Sequence, residues 1–317
     1  MKPLVVITHR IPTPGLEALF ERCEVAYPDQ ICFSPAELMR LASRARAILA
    51  GGPISAELIA AAPQLAIISN YGAGYDRVDV AAATRAGVPV TNIPDATSLA
   101  TAELTLSLML CLNRRVAELD RRMRAEGPDT LFGMGRNMGH SLMGRTLGIV
   151  GMGHIGRRVA ELASLLGMQV IYHNRRPVDG CPYGYRSLEA LLEQSDILSL
   201  HCPLTDQTRG LIGAAALARM RPAAQIVNTS RGAVIDTQAL ARALGEGRLA
   251  GAALDVFPAE PEVPDCLKAL PNVLLTPHIG TNTHEARALM ARHAADRILA
   301  ALDGRRPDNV VNPEIYL

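Results

Sequence analysis

The sequence lacks a surplus of either charge: Lys+Arg 32 against Asp+Glu 31 leaves +1 over 317 residues. Proteins of nucleic acid or of membrane surfaces need a basic excess, so both classes are disfavoured. There is no run of roughly 18 apolar residues, and no membrane span is expected. The opening MKPLVVITHR has too short an apolar core for a signal peptide and reads as a first strand. The six cysteines, Cys23, Cys32, Cys111, Cys181, Cys202 and Cys266, form no C-x-x-C pair. Their irregular spacing argues against a metal site and fits reduced thiols in a cytoplasmic protein. Tryptophan is absent, and no internal repeat of solenoid length is visible.

What is present is an alternation of strand-like and helix-like segments. Residues 4–8, 47–49, 66–69 and 88–92 read as strands. Residues 14–23 and 80–86 read as helices, the second capped by Asp79, and Ser34-Pro35-Ala36-Glu37 fits a capping box that opens another. A long helical pattern covers 100–125, a Gly/Met-rich loop 127–144, and a final helix 283–303. Such βαβα order implies parallel sheets with helices on both faces. Two domains are expected. Residues 1–98 and 286–317 would form a flavodoxin-like, five-stranded domain that takes back the last helix. Residues 99–285 would form the second domain.

The most informative stretch is TLGIVGMGHIG, residues 146–156. A strand-like run enters a turn with Gly151, Gly153 and Gly156, a helix-like run follows over 155–166, and a second strand is expected at 169–173. Gly151 allows the tight turn, Gly153 lets a pyrophosphate approach the backbone, and Gly156 lets helix and strand pack closely. The helix start aims free N–H groups and the positive end of its dipole at the phosphates.

Three later segments put polar residues just past strand ends. IVNTSRGAVID (226–236) presents Thr229, Ser230 and Arg231; ALDVFPAEP (253–261) presents Asp255 and Glu260; LLTPHIG (274–280) presents His278. Ligands of doubly wound sheets lie at the carboxyl ends of the strands, so Arg, carboxylate and His are expected to meet in one cleft. Together they suit reduction of a 2-oxo acid. Arg holds a carboxylate bidentately and polarises the adjacent carbonyl. His gives or takes the hydroxyl proton, and a Glu beside it orients the ring and favours imidazolium. Taken singly, each has a plainer reading as ion pair, solvated charge or core histidine. His9, His140 and His293 are read plainly, His201 carries no catalytic reading, and Met134, Met138 and Met143 read as packing or loop residues.

With these segments in this order, the chain resembles the D-isomer-specific 2-hydroxyacid dehydrogenases over nearly its whole length. Further carriers of the resemblance are NYGAGYDRVD (70–79), GVPVTNIPD (87–95), TAEL (101–104) and HCPLT (201–205). The resemblance implies an α/β fold of two doubly wound parallel-sheet domains, flavodoxin-like for substrate and Rossmann for cofactor. It implies Arg231 as the substrate-activating residue and His278 as acid/base paired with Glu260. Tyr71 would border the substrate, and Gly72, Ala73 and Gly74 would offer backbone N–H groups to its carboxylate. Cofactor contacts are implied at Thr101, Gly151, Gly153, His154, Ile155, Gly156, His201, Cys202, Pro203, Thr208, Thr229, Ser230, Arg231, His278 and Gly280, with Asp255 at the nicotinamide amide. A homodimer through the cofactor domain and a small 2-oxo acid partner are implied as well.

Cofactor choice is read at the end of the second nucleotide-domain strand, VIYHNRRP (170–177). An acid there bonds the ribose of NAD; here Asn174 takes its place, followed by Arg175 and Arg176, which suit a 2′-phosphate. NADP(H) is therefore the expected cofactor, with NAD(H) possible. The resemblance narrows to the glyoxylate and hydroxypyruvate reductases. Many family members carry a Trp after the long helix; here Gly127-Pro128 stands near that position, so an aromatic wall of the pocket is missing. Larger acids such as 2-ketogluconate or hydroxyphenylpyruvate stay open. So do an NAD-linked phosphoglycerate dehydrogenase, a formate dehydrogenase and a non-enzymatic nicotinamide-sensing corepressor.

Overall fold

The structure is a computed structural model that describes residues 2–127 and 131–317; Pro128 of the missing-tryptophan argument lies outside them. The chain packs as two compact units, Met1–Thr97 with Thr281–Leu317, and Ser98–Gly280.

The first unit holds a parallel sheet of β1 (Leu4–Ile7), β2 (Glu24–Ala26), β3 (Ala47–Ala50), β4 (Ile67–Asn70) and β5 (Val90–Thr91), in the order β2-β1-β3-β4-β5. LVVI, AILA and IISN are buried at every position, as a parallel sheet covered on both faces requires. β2 had no signal of its own in the sequence: it is a three-residue edge strand with Glu24 exposed. The strand expected at 88–92 shrinks to Val90–Thr91. The helix His284–Leu302 lays Ala291, Ala294, Ala295 and Ile298 on Val5, Ile7, Leu49 and Ile67. Its small side chains bring the backbone close enough for Ser69 Oγ to donate to the Ala294 carbonyl at 3.2 Å. Ser34 and Glu37 form the reciprocal capping box, and Asp79 caps its helix through the Ala82 N–H at 2.8 Å.

The second unit holds seven parallel strands: β6 (Thr146–Val150), β7 (Gln169–His173), β8 (Gly184–Tyr185), β9 (Ile197–Leu200), β10 (Gln225–Asn228), β11 (Gly251–Leu254) and β12 (Val273–Leu275). The order β12-β11-β10-β9-β6-β7-β8 reverses direction between β6 and β9, which opens a crevice at their carboxyl ends.

The single helix expected at 100–125 is two, Pro94–Asn113 and Val116–Glu126. The break falls at Arg115, which is left-handed at φ 58°. Tertiary bonds impose it. The Asn113 carbonyl accepts from His140 N at 2.9 Å and Asn113 Oδ1 accepts from Arg145, while Arg115 forks locally onto Glu118 at 2.9 and 2.6 Å. Apolar periodicity carries no trace of such bonds. By length and composition Pro94–Asn113 is apolar enough to cross a membrane, with a mean hydropathy of 1.2, yet half of that window is buried, as in a core helix.

Candidate active site

The nucleotide turn separates glycines that the fold needs from one that it does not. Gly151 sits at φ 101°, and a Cβ there would lie 2.6 Å from Cys202 N; a Cβ at Gly156 would lie 2.2 Å from the Gly151 carbonyl oxygen. A Cβ at Gly153 would meet no atom of the described residues within 4 Å. Packing accounts for the outer two, and the middle one leaves open space at the start of the helix His154–Leu165. Gly153 is the N-cap of that helix and supplies no side-chain acceptor, so first-turn N–H groups stay available to an anion. The turn therefore fits a dinucleotide pyrophosphate. Asn174 braces it, Oδ1 accepting from Met152 N at 2.7 Å. Arg175 and Arg176 are exposed, and among the described residues neither forms a hydrogen bond or ion pair.

Across the crevice, His201 N donates to the Val150 carbonyl at 2.8 Å. The loop that follows is closed by Thr208, whose Oγ1 donates to the Pro203 carbonyl at 2.6 Å and accepts from Thr205 N at 2.8 Å. That hydroxyl works inside the loop, whatever the cofactor does. Burial pushes the Cys202 thiol up to about 11, so it stays neutral. Burial also pushes His201 down to about 3; its Nε2 meets Ser199 Oγ at 2.8 Å, while Nδ1 is buried without a partner.

Arg231, Glu260 and His278 follow three neighbouring strands, β10, β11 and β12. Asn228 shapes the first loop. Its Oδ1 accepts from Ser230 N at 3.0 Å and Ser230 Oγ at 2.8 Å, and its Nδ2 donates to the Arg231 carbonyl at 2.9 Å. Arg231 Nη1 donates to the Ser230 carbonyl at 2.8 Å. Thr229 is tied inward, Oγ1 meeting Thr105 Oγ1 at 2.9 Å, and Thr105 in turn donates to the Thr101 carbonyl at 2.7 Å.

Asp255, 1% exposed, organises the last loop. Its carboxylate accepts from Thr276 Oγ1 at 2.6 Å, Ile279 N at 2.9 Å and Gly280 N at 2.9 Å. Between those donors His278 is held at φ 52°. Glu260 accepts from Phe257 N at 3.1 Å with Oε1 and meets His278 Nδ1 at 2.7 Å with Oε2. A carboxylate on Nδ1 makes that nitrogen the proton-bearing one and leaves Nε2 as the nitrogen that exchanges a proton with anything bound. The sequence reading missed Asn228 and Thr276; their signal is a polar residue at, or just past, a buried strand's carboxyl end.

In the first unit, Asn70 Nδ2 donates to the carbonyls of Gly72 at 3.0 Å and Gly74 at 2.9 Å, and Asn92 Nδ2 donates to that of Ala73 at 2.7 Å. Gly72 N is already spent on the Asn70 carbonyl at 2.9 Å, so of the three amides expected to face a carboxylate only those of Ala73 and Gly74 have no acceptor among the described residues. Tyr71 is anchored by its hydroxyl on the Arg287 carbonyl at 2.9 Å, with the Arg287 guanidinium 5.7 Å from its ring centroid.

A turn fitted to a dinucleotide, with an arginine and a carboxylate–histidine pair on adjoining strands, defines a nicotinamide-dependent oxidoreductase. Residues 106–280 match the D-isomer specific 2-hydroxyacid dehydrogenase NAD-binding domain. The chain is 43% identical to a glyoxylate reductase of Aeropyrum pernix over 332 residues, covering 99% of this chain and 97% of the relative. A crystal structure of a Thermus thermophilus protein superposes with a TM-score of 0.91 at 41% identity, covering 97% of this chain and 99% of that one. The NADPH-dependent glyoxylate/hydroxypyruvate reductase of Sinorhizobium meliloti, solved with NADP and malonate, gives a TM-score of 0.89 at 30% identity, covering 98% and 97%. The chain belongs to the D-isomer-specific 2-hydroxyacid dehydrogenase family and is an NAD(P)-dependent oxidoreductase.

Proposed function

We propose that the protein reduces a small 2-oxo acid of the glyoxylate or hydroxypyruvate type to the D-2-hydroxy acid, with NADPH preferred over NADH. The observation that carries this reading is the 2.7 Å Glu260–His278 contact in the loops beside the one presenting Arg231. When bound, the reduced nicotinamide supplies a hydride to the carbonyl carbon. Arg231 grips the substrate carboxylate and polarises the carbonyl as negative charge grows on its oxygen. His278 delivers the proton to that oxygen from Nε2, while Glu260 holds the ring. Within the first unit, the Ala73 and Gly74 amides are offered to a carboxylate. Asp255 keeps an acceptor position on Oδ2 for the nicotinamide amide.

The preference for NADPH rests on Arg175 and Arg176, which no carboxylate among the described residues engages, next to a neutral Asn174. The relatives named glyoxylate reductase support the substrate class. A homodimer through the cofactor unit is supported by the exposed apolar side chains of Val116, Phe132, Met134 and Met138, which a second copy would cover. Loss of NADPH or NADH absorbance with a panel of 2-oxo acids tests the reading; turnover of neither glyoxylate nor hydroxypyruvate would end it.

A further inference from the structure

Away from these loops, the first unit carries a cavity of ≈ 520 Å³ walled by the helix His284–Leu302, Arg22 and the return segment 305–308. Arg297 forms its inner wall and is only 8% exposed. A guanidinium presents five N–H donors in a fixed fork. Arg297 Nη1 donates to the His293 carbonyl at 2.8 Å, but Nε is buried and has no acceptor. One turn earlier, His293 lines the same cavity, and its Nδ1 is likewise buried without a partner. Buried polar atoms rarely stay unsatisfied, because the desolvation cost is then uncompensated. Two at one cavity point to a group that completes them.

The mouth is built from charge. Arg22 and Arg305 share Asp303 at 2.5 and 3.1 Å. Arg306 lies over the Tyr316 ring, 4.7 Å from its centroid. Asp296 and Asp308 also line the cavity, so four guanidinium groups stand against three carboxylates. Burial opposes the charge of Arg297, and the carboxylates that compensate it, Asp308, Asp95 and Asp296, act only at a distance. Among the described residues no carboxylate reaches Arg297 within ion-pair range.

We propose that this cavity is a binding site for a small multivalent oxyanion, a phosphate ester or a polycarboxylate, with the Arg297 guanidinium as its innermost donor and Arg305 and Arg306 as its rim. A guanidinium fork matches either oxyanion bidentately. The bound anion would tie the helix His284–Leu302 to the return segment. That segment leads into Val310, which pairs with Thr91, and into Asn312, which accepts from Val90 N at 2.8 Å. Occupancy therefore stiffens the edge of the first sheet.

The test uses the full-length protein carrying Arg231→Ala, with NADP present in excess, so that neither the glycine turn nor the carboxylate-gripping arginine competes for the anion. Sodium phosphate and sodium citrate are titrated separately against sodium chloride of equal ionic strength, reading calorimetric binding and the unfolding midpoint. The expected result is a saturable rise in midpoint with at least one of the two anions; which of them acts assigns the class. Arg305→Ala with Arg306→Ala, a surface change, should weaken that binding by about tenfold, and Arg297→Met should abolish it. Arg175→Ala with Arg176→Ala should leave it intact. If Arg297→Met does not fold, the rim pair decides. The proposal is overturned by an effect no larger than that of chloride. Binding that survives loss of the rim arginines, or that disappears with Arg175 and Arg176, overturns it as well.

Discussion

Asp255 holds His278 in a conformation that its own side chain disfavours. The carboxylate accepts from Thr276 Oγ1 before the histidine and from the Ile279 and Gly280 amides after it. His278 is thereby pinned at φ 52°, a left-handed position costing on the order of 1–3 kcal/mol for a residue with a Cβ. That cost places the ring where Glu260 Oε2 reaches Nδ1 at 2.7 Å.

Asp255→Ala should therefore cost about 2–4 kcal/mol in unfolding free energy, because three donors lose a buried carboxylate as acceptor. It should also cut kcat by more than its effect on cofactor affinity. A variant that stays at wild-type stability in urea melts would show that the loop holds itself.

His278→Asn should fold normally, since asparagine tolerates the left-handed region, and should lose roughly 10²–10⁴-fold in kcat for reduction. His278→Val should also lose stability, because a β-branched side chain is strained at that φ. Equal melting midpoints for the two variants would remove the strain argument.

Glu260→Gln preserves a hydrogen-bond acceptor for Nδ1 but removes the negative charge beside the ring. The kcat for reduction should fall with KM little changed, since the ring loses the carboxylate that orients it at 2.7 Å. A kcat at the wild-type level would make Glu260 a structural residue only, tied to Phe257 N.

Arg231→Ala should lower kcat/KM severely with cofactor affinity nearly unchanged. Arg231→Lys should recover little, because an ammonium cannot reproduce the planar fork. Steady-state rates with glyoxylate, alongside fluorescence titration of NADPH, separate the two effects.

Cofactor choice should follow the end of β7. Asn174→Asp keeps the acceptor that braces Met152 N while adding a charge that repels a 2′-phosphate. Combined with Arg175→Ala it should move the kcat/KM ratio towards NADH by about tenfold or more, about 1.4 kcal/mol. Asn174→Ala should weaken both cofactors, since the glycine turn loses its brace. An unchanged ratio in the double variant would place 2′-phosphate recognition elsewhere.

The reading of function from sequence went furthest where chemistry is local. Buried strands announce themselves as apolar runs, and the glycine turn as a fixed spacing between a strand and a helix. The alternation of strands and helices pointed to two parallel sheets, and the strand orders carry that expectation through. The amino-acid order alone also put Arg231, Glu260 and His278 just past strand ends, because a parallel sheet lines up its carboxyl termini. What it left open belongs to contacts between distant residues. The helix break at Arg115 comes with the bonds of Asn113 to His140 and Arg145. The loss of Gly72 as a free donor comes from how its loop closes on Asn70. The partner of Glu260 depends on Asp255 reaching 21 to 25 residues ahead to fix the turn around His278. No periodicity records such bonds: they form only once the strands are side by side and the ends of their loops compete for the same buried acceptors.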